Sequence, residues 1–257
     1  MDTRFIMNNF ELETYLNQLL KSSAIRDYCP NGMQVEGKSQ VAKVVTGVTA
    51  SQALIDAAIE EGADAILVHH GYFWKGEAQQ VVGMKRNRLK ALLANDINLY
   101  GYHLPLDIHP ELGNNAQLAK LFGLTITDGL EAGNPNSVGN LASLDCETDI
   151  QVFAQLVEDK LQRKILLEAA GKSNIKTIGL CTGGAQDFID QAAARGADLY
   201  ITGEVSERTI HSARELGINF ISAGHHATER YGVKALGEYL NDNTNLKCTF
   251  IDIDNPA

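Results

Sequence analysis

The feature that most limits what this chain can fold into is a repeat. Ile55-Asp56, Ala58 and Gly62-Ala63-Asp64 recur as Ile189-Asp190, Ala192 and Gly196-Ala197-Asp198, an offset of 134 residues. Carried upstream without a gap, the same offset lays 44–48 on 178–182; carried downstream, it lays Leu67 on Ile201. A second match, Ile97-Asn98 on Ile218-Asn219, has an offset of 121, so the first copy carries 13 extra residues, most simply 72–84. The first copy reads as a β-α-β unit: a Val-rich strand over 42–48, a helix opened by a capping box at Thr49-Ala50-Ser51-Gln52 and ended near Gly62, and a short buried strand over 64–68. A duplicated β-α-β unit predicts an α/β fold of two related halves, with largely parallel sheets covered by helices.

An amphipathic helix should open the fold, with Leu12, Tyr15, Leu16, Leu19 and Leu20 on one stripe and Asn8 and Glu11 as its capping box. Pro30-Asn31-Gly32 is a turn signal. The second half should begin with a helix capped at Thr148 and a strand over 164–168. Between the copies, Gly129, Gly133, Asn134, Pro135, Asn136, Gly139 and Asn140 mark a polar, turn-forming stretch. The expected organisation is a first half over 1–127, a linker or variable insertion over 128–145, and a second half over 146–257.

Continued with a one-residue gap, the second match brings His103-x-x-x-Asp107 onto His225-x-x-x-Glu229. Both copies thus end a strand in His followed four residues later by a carboxylate, which points to one site built from both halves. All but one of the seven histidines fall in three segments just past expected strands: His69-His70, His103 with His109, and His225-His226. Strand C-terminal ends carry the ligand sites of parallel α/β sheets. With Asp107 and Glu229 the donors are imidazole nitrogens and carboxylate oxygens, a set that suits zinc, manganese, iron, cobalt or nickel. Successive strand residues point opposite ways, so His69 and His70 should feed different ions or need a bend between them. Pro105 argues for loop over 103–107, whereas His225 and Glu229 can share one face at a helix start.

Charge and composition narrow the partners. With 32 Asp+Glu against 22 Lys+Arg, the net charge of −10 repels a phosphate backbone and disfavours duplex DNA, while a bound cation could still hold a nucleotide-sized ligand. The first ten residues, with Asp2 and Arg4, lack a signal peptide's apolar centre, and no apolar run approaches the roughly 20 residues that cross a bilayer. Four widely spaced cysteines without C-x-x-C spacing fit a reducing cytoplasm. Gly171-Lys172-Ser173 lacks the first glycine of a phosphate-binding loop and reads as a turn. Cys181-Thr182-Gly183-Gly184 reads as a buried strand-end Cys and a Gly turn. Phe73 and Trp74 are either a substrate-stacking platform or an anchor for another subunit, and Lys75, Lys85, Arg86 and Arg88 either a solvated face or an anion-attracting rim.

His69-His70-Gly71-Tyr72-Phe73-Trp74-Lys75, His103-Leu104-Pro105-Leu106-Asp107 and Gly224-His225-His226-Ala227-Thr228-Glu229 closely resemble the signature segments of the Nif-three-like family, whose bacterial members are catalogued as GTP cyclohydrolase 1 type 2 homologues. The resemblance runs from Pro30-Asn31-Gly32-Met33-Gln34-Val35 to the C-terminus and is weakest over 128–172. It implies two interlocked α/β halves and a dinuclear metal site in which His69, His70, Asp107, His225 and Glu229 match the ligand positions, Glu229 as the bridge. His103 matches a further histidine beside the ligands, a candidate proton shuttle. The resemblance also implies a homohexameric ring. From these follows the expectation of a metal-dependent hydrolase acting on a nucleotide or related heterocycle through two divalent ions (zinc, iron, manganese or nickel). In a cyclohydrolase-type reaction the target would be the imidazole carbon of guanine. The competing expectation is a metal-binding adaptor or metal-delivery protein.

Overall fold

The computed structural model describes residues 6–257, so the opening residues that carry Asp2 and Arg4 lie outside the described residues. The chain divides into two units, one holding the chain up to Leu112 with Gly232–Asp254, the other Gly113–Tyr231 with Asn255–Ala257. This departs from the expected boundaries. The 128–145 stretch is no linker: Thr125–Gly129 and Asn140–Asp149 pair antiparallel within the second unit, and the Gly- and Asn-rich residues form the loop between them. Turn residues mark a strand connection as readily as a domain seam. The last helix, His225–Asn243, starts in the second unit and from Gly232 onward is counted in the first.

In the first unit a five-stranded sheet runs Lys247–Phe250, Lys43–Thr49, Ala65–His70, Asn98–Gly101, Gly32–Val35, all parallel except the Gly32–Val35 edge. Alternation sends Val44, Ala65 and Leu67 to one face with Leu12, Leu16 and Leu236, and Val45 and Ile66 to the other with Leu54 and Leu92. Two covered faces explain why these strands read as continuous apolar runs. The Asn9–Leu20 helix carries the expected capping box of Asn8 and Glu11. The Gln52–Glu60 helix is capped by Ser51 rather than Thr49, because Thr49 is still strand, paired with His70.

The second unit repeats this plan. Its six-stranded sheet runs Thr125–Gly129, Asn140–Asp149, Asn174–Leu180, Leu199–Thr202, Asn219–Ser222, Leu166–Glu168, with the three strands 174–180, 199–202 and 219–222 parallel. Ile178, Leu199 and Ile201 lie in one apolar layer with Phe153, and Tyr200 and Phe220 in another with Ala192. The Ile150–Leu161 helix is capped by Asp149, not Thr148: the Asp149 carboxylate reaches two amides of the first turn.

The duplication holds at the level of single hydrogen bonds. Val44 pairs with Ala65 as Ile178 pairs with Leu199, and Ala65 with Asn98 as Leu199 with Asn219, reproducing both sequence offsets. Asp64 accepts from Lys38 Nζ and the amides of Ala42 and Lys43; Asp198 accepts from Lys172 Nζ and the amides of Lys176 and Thr177. Asn98 ties Gly37 and Lys38 as Asn219 ties Gly171 and Lys172, which makes Gly171-Lys172-Ser173 the expected turn. Most of the extra length of the first copy falls in 71–82, between the Ala65–His70 strand and the Gly83–Ala94 helix.

Burial alone would raise the Asp64 and Asp198 carboxyls, but the lysine and backbone hydrogen bonds outweigh it and both sit below the usual value of 3.8. A depressed folded-state value contributes stability that is present above the unfolded value and is lost as pH falls through the folded one. Asp64→Ala and Asp198→Ala should each destabilise by about 1–3 kcal/mol, since each strands two backbone donors. Urea unfolding at neutral pH measures this, and the deficit should shrink as the pH is brought below the ordinary carboxylate range.

Candidate metal centre

In the first unit the Ala65–His70 strand ends in two histidines whose Nδ1 atoms face protein oxygens. His69 is fully buried, its Nδ1 3.0 Å from the Tyr102 carbonyl and its Nε2 3.5 Å from Asp107 Oδ1. A carbonyl only accepts, so Nδ1 carries the proton and Nε2 is presented toward Asp107. His70 Nδ1 lies 3.2 Å from Thr49 Oγ1. The two rings stand 4.4 Å apart although both residues belong to the strand, so the expected alternation does not keep them away from each other. The His103 ring lies 5.1 Å from that of His69 and 5.8 Å from that of His70, and the three offer nitrogens within 4.8 Å of one another.

Asp107, buried, closes the single helical turn Leu104–Asp107 that follows His103. The loop expected from Pro105 is therefore a short helix. Proline is tolerated there because the first helical turn needs no amide from it. The amides of Leu106 and Asp107 both donate to the His103 carbonyl, which fixes where Asp107 emerges.

In the second unit His225 and Glu229 occupy the first turns of the His225–Asn243 helix, four residues apart and on one face as expected, with Nε2 to Oε2 at 3.0 Å. His225 Nδ1 lies 2.7 Å from Glu204 Oε1. Burial would lower the His225 imidazole, but the hydrogen bonds and charges of Glu229 and Glu204 outweigh it and raise it to about 9, the mark of a field that attracts a cation. Gly183, at φ +68, makes the room: a Cβ built there would come within 2.0 Å of Glu229 Oε1 and 3.1 Å of His225 Nε2. Its amide donates to Thr228 Oγ1, and its carbonyl accepts from Gly203, Glu204 and Thr202 Oγ1.

The remaining candidates have other surroundings. His109 Nδ1 accepts from the amides of Glu111 and Leu112, so it folds a turn. Neither His109 nor His226 joins a group of convergent donors among the described residues. Cys181 is buried in an apolar layer, as expected of a structural thiol. Trp74 packs edge-on to His103 at 4.9 Å and lies 6.0 Å from the His70 ring, whereas Phe73 is exposed beneath Lys85. Lys85 is also paired with Glu77 and so is no unengaged anion rim.

Sequence reasoning missed Asp27 and Glu204 and undervalued Gly183. Glu204 was within reach: the offset of 134 puts it at the place of His70. Asp27 has no such signal. Among the described residues no helix is long and apolar enough to cross a membrane.

The chain matches the Duf34/NIF3 (NGG1p interacting factor 3) family over residues 7–256. It is 59% identical to a protein of Escherichia coli (strain K12) named "GTP cyclohydrolase 1 type 2 homolog", over 98% of this chain and 100% of that one. Among solved structures, "protein ybgI, unknown function" superposes with a TM-score of 0.95 at 58% identity, covering 98% of this chain and 100% of that chain. TTHA1606 from Thermus thermophilus follows the same path with a TM-score of 0.89 at 34% identity, over 98% and 100% of the two chains. With the family model matched over nearly the whole chain and relatives this similar along their full length, the chain belongs to the Duf34/NIF3 family.

Proposed function

We propose that this protein is a metal-dependent hydrolase in which His69, His70, Asp107, His225 and Glu229 would hold two divalent cations, with Glu229 as the shared ligand. The observation that carries this reading is the state of the imidazoles. His69, His70 and His225 each have Nδ1 against a protein oxygen, the arrangement that fixes metal-binding histidines with Nε2 toward the ion. Buried carboxylates stand beside two of them, and Gly183 leaves a cradle that any side chain would fill. Imidazole and carboxylate donors suit zinc, iron, manganese or nickel.

Bound divalent cations supply Lewis acidity, activating water at neutral pH and polarising the electrophile. The chain's own groups do the rest. Asp107 and Glu229 neutralise the cations, Trp74 walls the His70 and His103 side, and His103 moves the proton at Nε2. The relatives' names support a nucleotide or related heterocycle as the substrate class. The family resemblance also supports a homohexameric ring, which a solution mass measurement tests.

Metal analysis of the purified chain, combined with turnover assays on a panel of purine and pyrimidine nucleotides, tests the proposal. His70→Ala should abolish both. Glu204→Gln keeps every ligand and should weaken metal binding by about 10–100-fold, the usual effect of losing a carboxylate behind a ligating imidazole. Turnover that survives His70→Ala sinks the reading; metal bound without turnover on any substrate favours the adaptor.

A further inference from the structure

His103 is held by residues in and just before the Pro30-Asn31-Gly32 turn. Its Nδ1 lies 3.0 Å from Asp27 Oδ1, and its backbone amide donates to Asn31 Oδ1 at 2.8 Å. Asn31 Nδ2 donates back to Asp27 Oδ2 at 2.9 Å, and the Leu104 amide reaches the same oxygen at 2.9 Å. The Tyr28 amide completes the set at 2.7 Å. The Asp27 side chain is only 2% exposed, so this carboxylate is built into the fold.

The protonation of the pair follows from these contacts. Burial would raise the Asp27 carboxyl, but hydrogen bonds from His103 and Asn31, the His103 charge and the Leu104 amide hold it down at about 2. An ionised carboxylate can only accept, so His103 Nδ1 is the donor between the two and Nε2 is the ring nitrogen left facing away from the pair. Trp74 and Tyr28 stand edge-on to the ring at 4.9 and 5.1 Å and limit its rotation. Burial, then the charges of Asp27 and Asp107, push the neighbouring Cys29 thiol up to about 12.

We infer that Asp27 and Asn31 are positioning residues that lock His103 in one tautomer and one orientation, with Nε2 set for proton transfer beside His69 and His70. The inference rests on the hydrolase reading for the use of that proton, but the lock itself is made by the chain's own hydrogen bonds. Asp27 acts through His103 as a buried carboxylate acts through the imidazole of a hydrolytic triad, by holding it and by stabilising its charged form.

The test is a double-mutant cycle in the full chain with Asp27→Asn, His103→Gln and both together. For a substrate found in the nucleotide panel, Asp27→Asn should lower kcat by roughly 10²–10⁴-fold, the range of a lost acid–base group, with KM nearly unchanged. The double variant should be no slower than His103→Gln alone. Metal content should stay at the parent's level in all three. In the metal-free chain, urea unfolding should show the double variant no less stable than the weaker single. Should Asp27→Asn not fold, Asn31→Ala, which leaves the carboxylate and loosens its clamp, enters the same cycle. Independent losses in rate and in stability overturn the inference. So does metal loss in Asp27→Asn or His103→Gln that equals that of His70→Ala, because His103 would then be a ligand. If no nucleotide turns over, the hydrolase reading falls alone, and the unfolding cycle and metal content still decide whether Asp27 locks His103.

Discussion

Glu229→Gln is expected to abolish the proposed metal binding while leaving the fold intact. Glu229 is buried, its residue only 3% exposed, and its carboxylate lies 3.0 Å from His225 Nε2. The substitution keeps shape and volume and removes the negative charge that the proposed bridge needs. Losing a hydrogen-bond partner behind a ligand weakens metal binding by about 10–100-fold. Losing the carboxylate proposed as the shared ligand should reach or exceed the upper end, roughly 100-fold or more. Titration calorimetry with zinc, manganese or nickel and elemental analysis after dialysis measure this, and circular dichroism checks that the fold is kept. A glutamine variant that holds the parent's metal with the parent's affinity would remove Glu229 from the centre and with it the proposed bridge.

The second large effect is expected at Gly183→Ala. At φ +68 any L residue pays about 1–2 kcal/mol for the left-handed backbone, and here the new methyl also meets Glu229 Oε1 at 2.0 Å. Glu229 must swing away or the turn must move, so stability and metal binding should fall together. Gly62→Ala and Gly196→Ala separate the two contributions: both glycines have positive φ, +64 and +75, and nothing within 4 Å of the added carbon. Each should lower the melting temperature by several degrees, at about 2–4 °C per kcal/mol for a chain of this size, and leave metal binding alone. Equal metal affinity in Gly183→Ala and the two controls would mean that Gly183 shapes only the turn.

The repeat was legible because its marks are local. Ile55-Asp56 and Gly62-Ala63-Asp64 recur at a fixed offset, and strands with both faces covered produce uninterrupted apolar runs such as Ala65–Val68. The histidines were legible for the same reason, since strand ends can be read from the apolar pattern. Two finer assignments slipped by one or two residues, and a third took a helical turn for a loop. Thr49 proved to be strand, Asp149 outcompeted Thr148 as a cap, and Pro105 sits in a first helical turn, where its missing amide costs nothing.

By itself, the sequence determined the α/β class, the duplication, the strand ends and the residue types that could hold a cation. Those properties depend on periodicity and on neighbours a few residues apart. Only the tertiary structure decided that Asp27 stands behind His103, 76 residues away, that Glu204 stands behind His225, 21 residues away, and that Gly183 makes room beside Glu229. It also decided where the units divide, because the last helix begins in one and is counted, from Gly232, in the other. The reason is common to all of them: a hydrogen bond or a cavity is a relation between distant parts of the chain, and its two ends acquire a shared meaning only when the backbone brings them within about 3 Å.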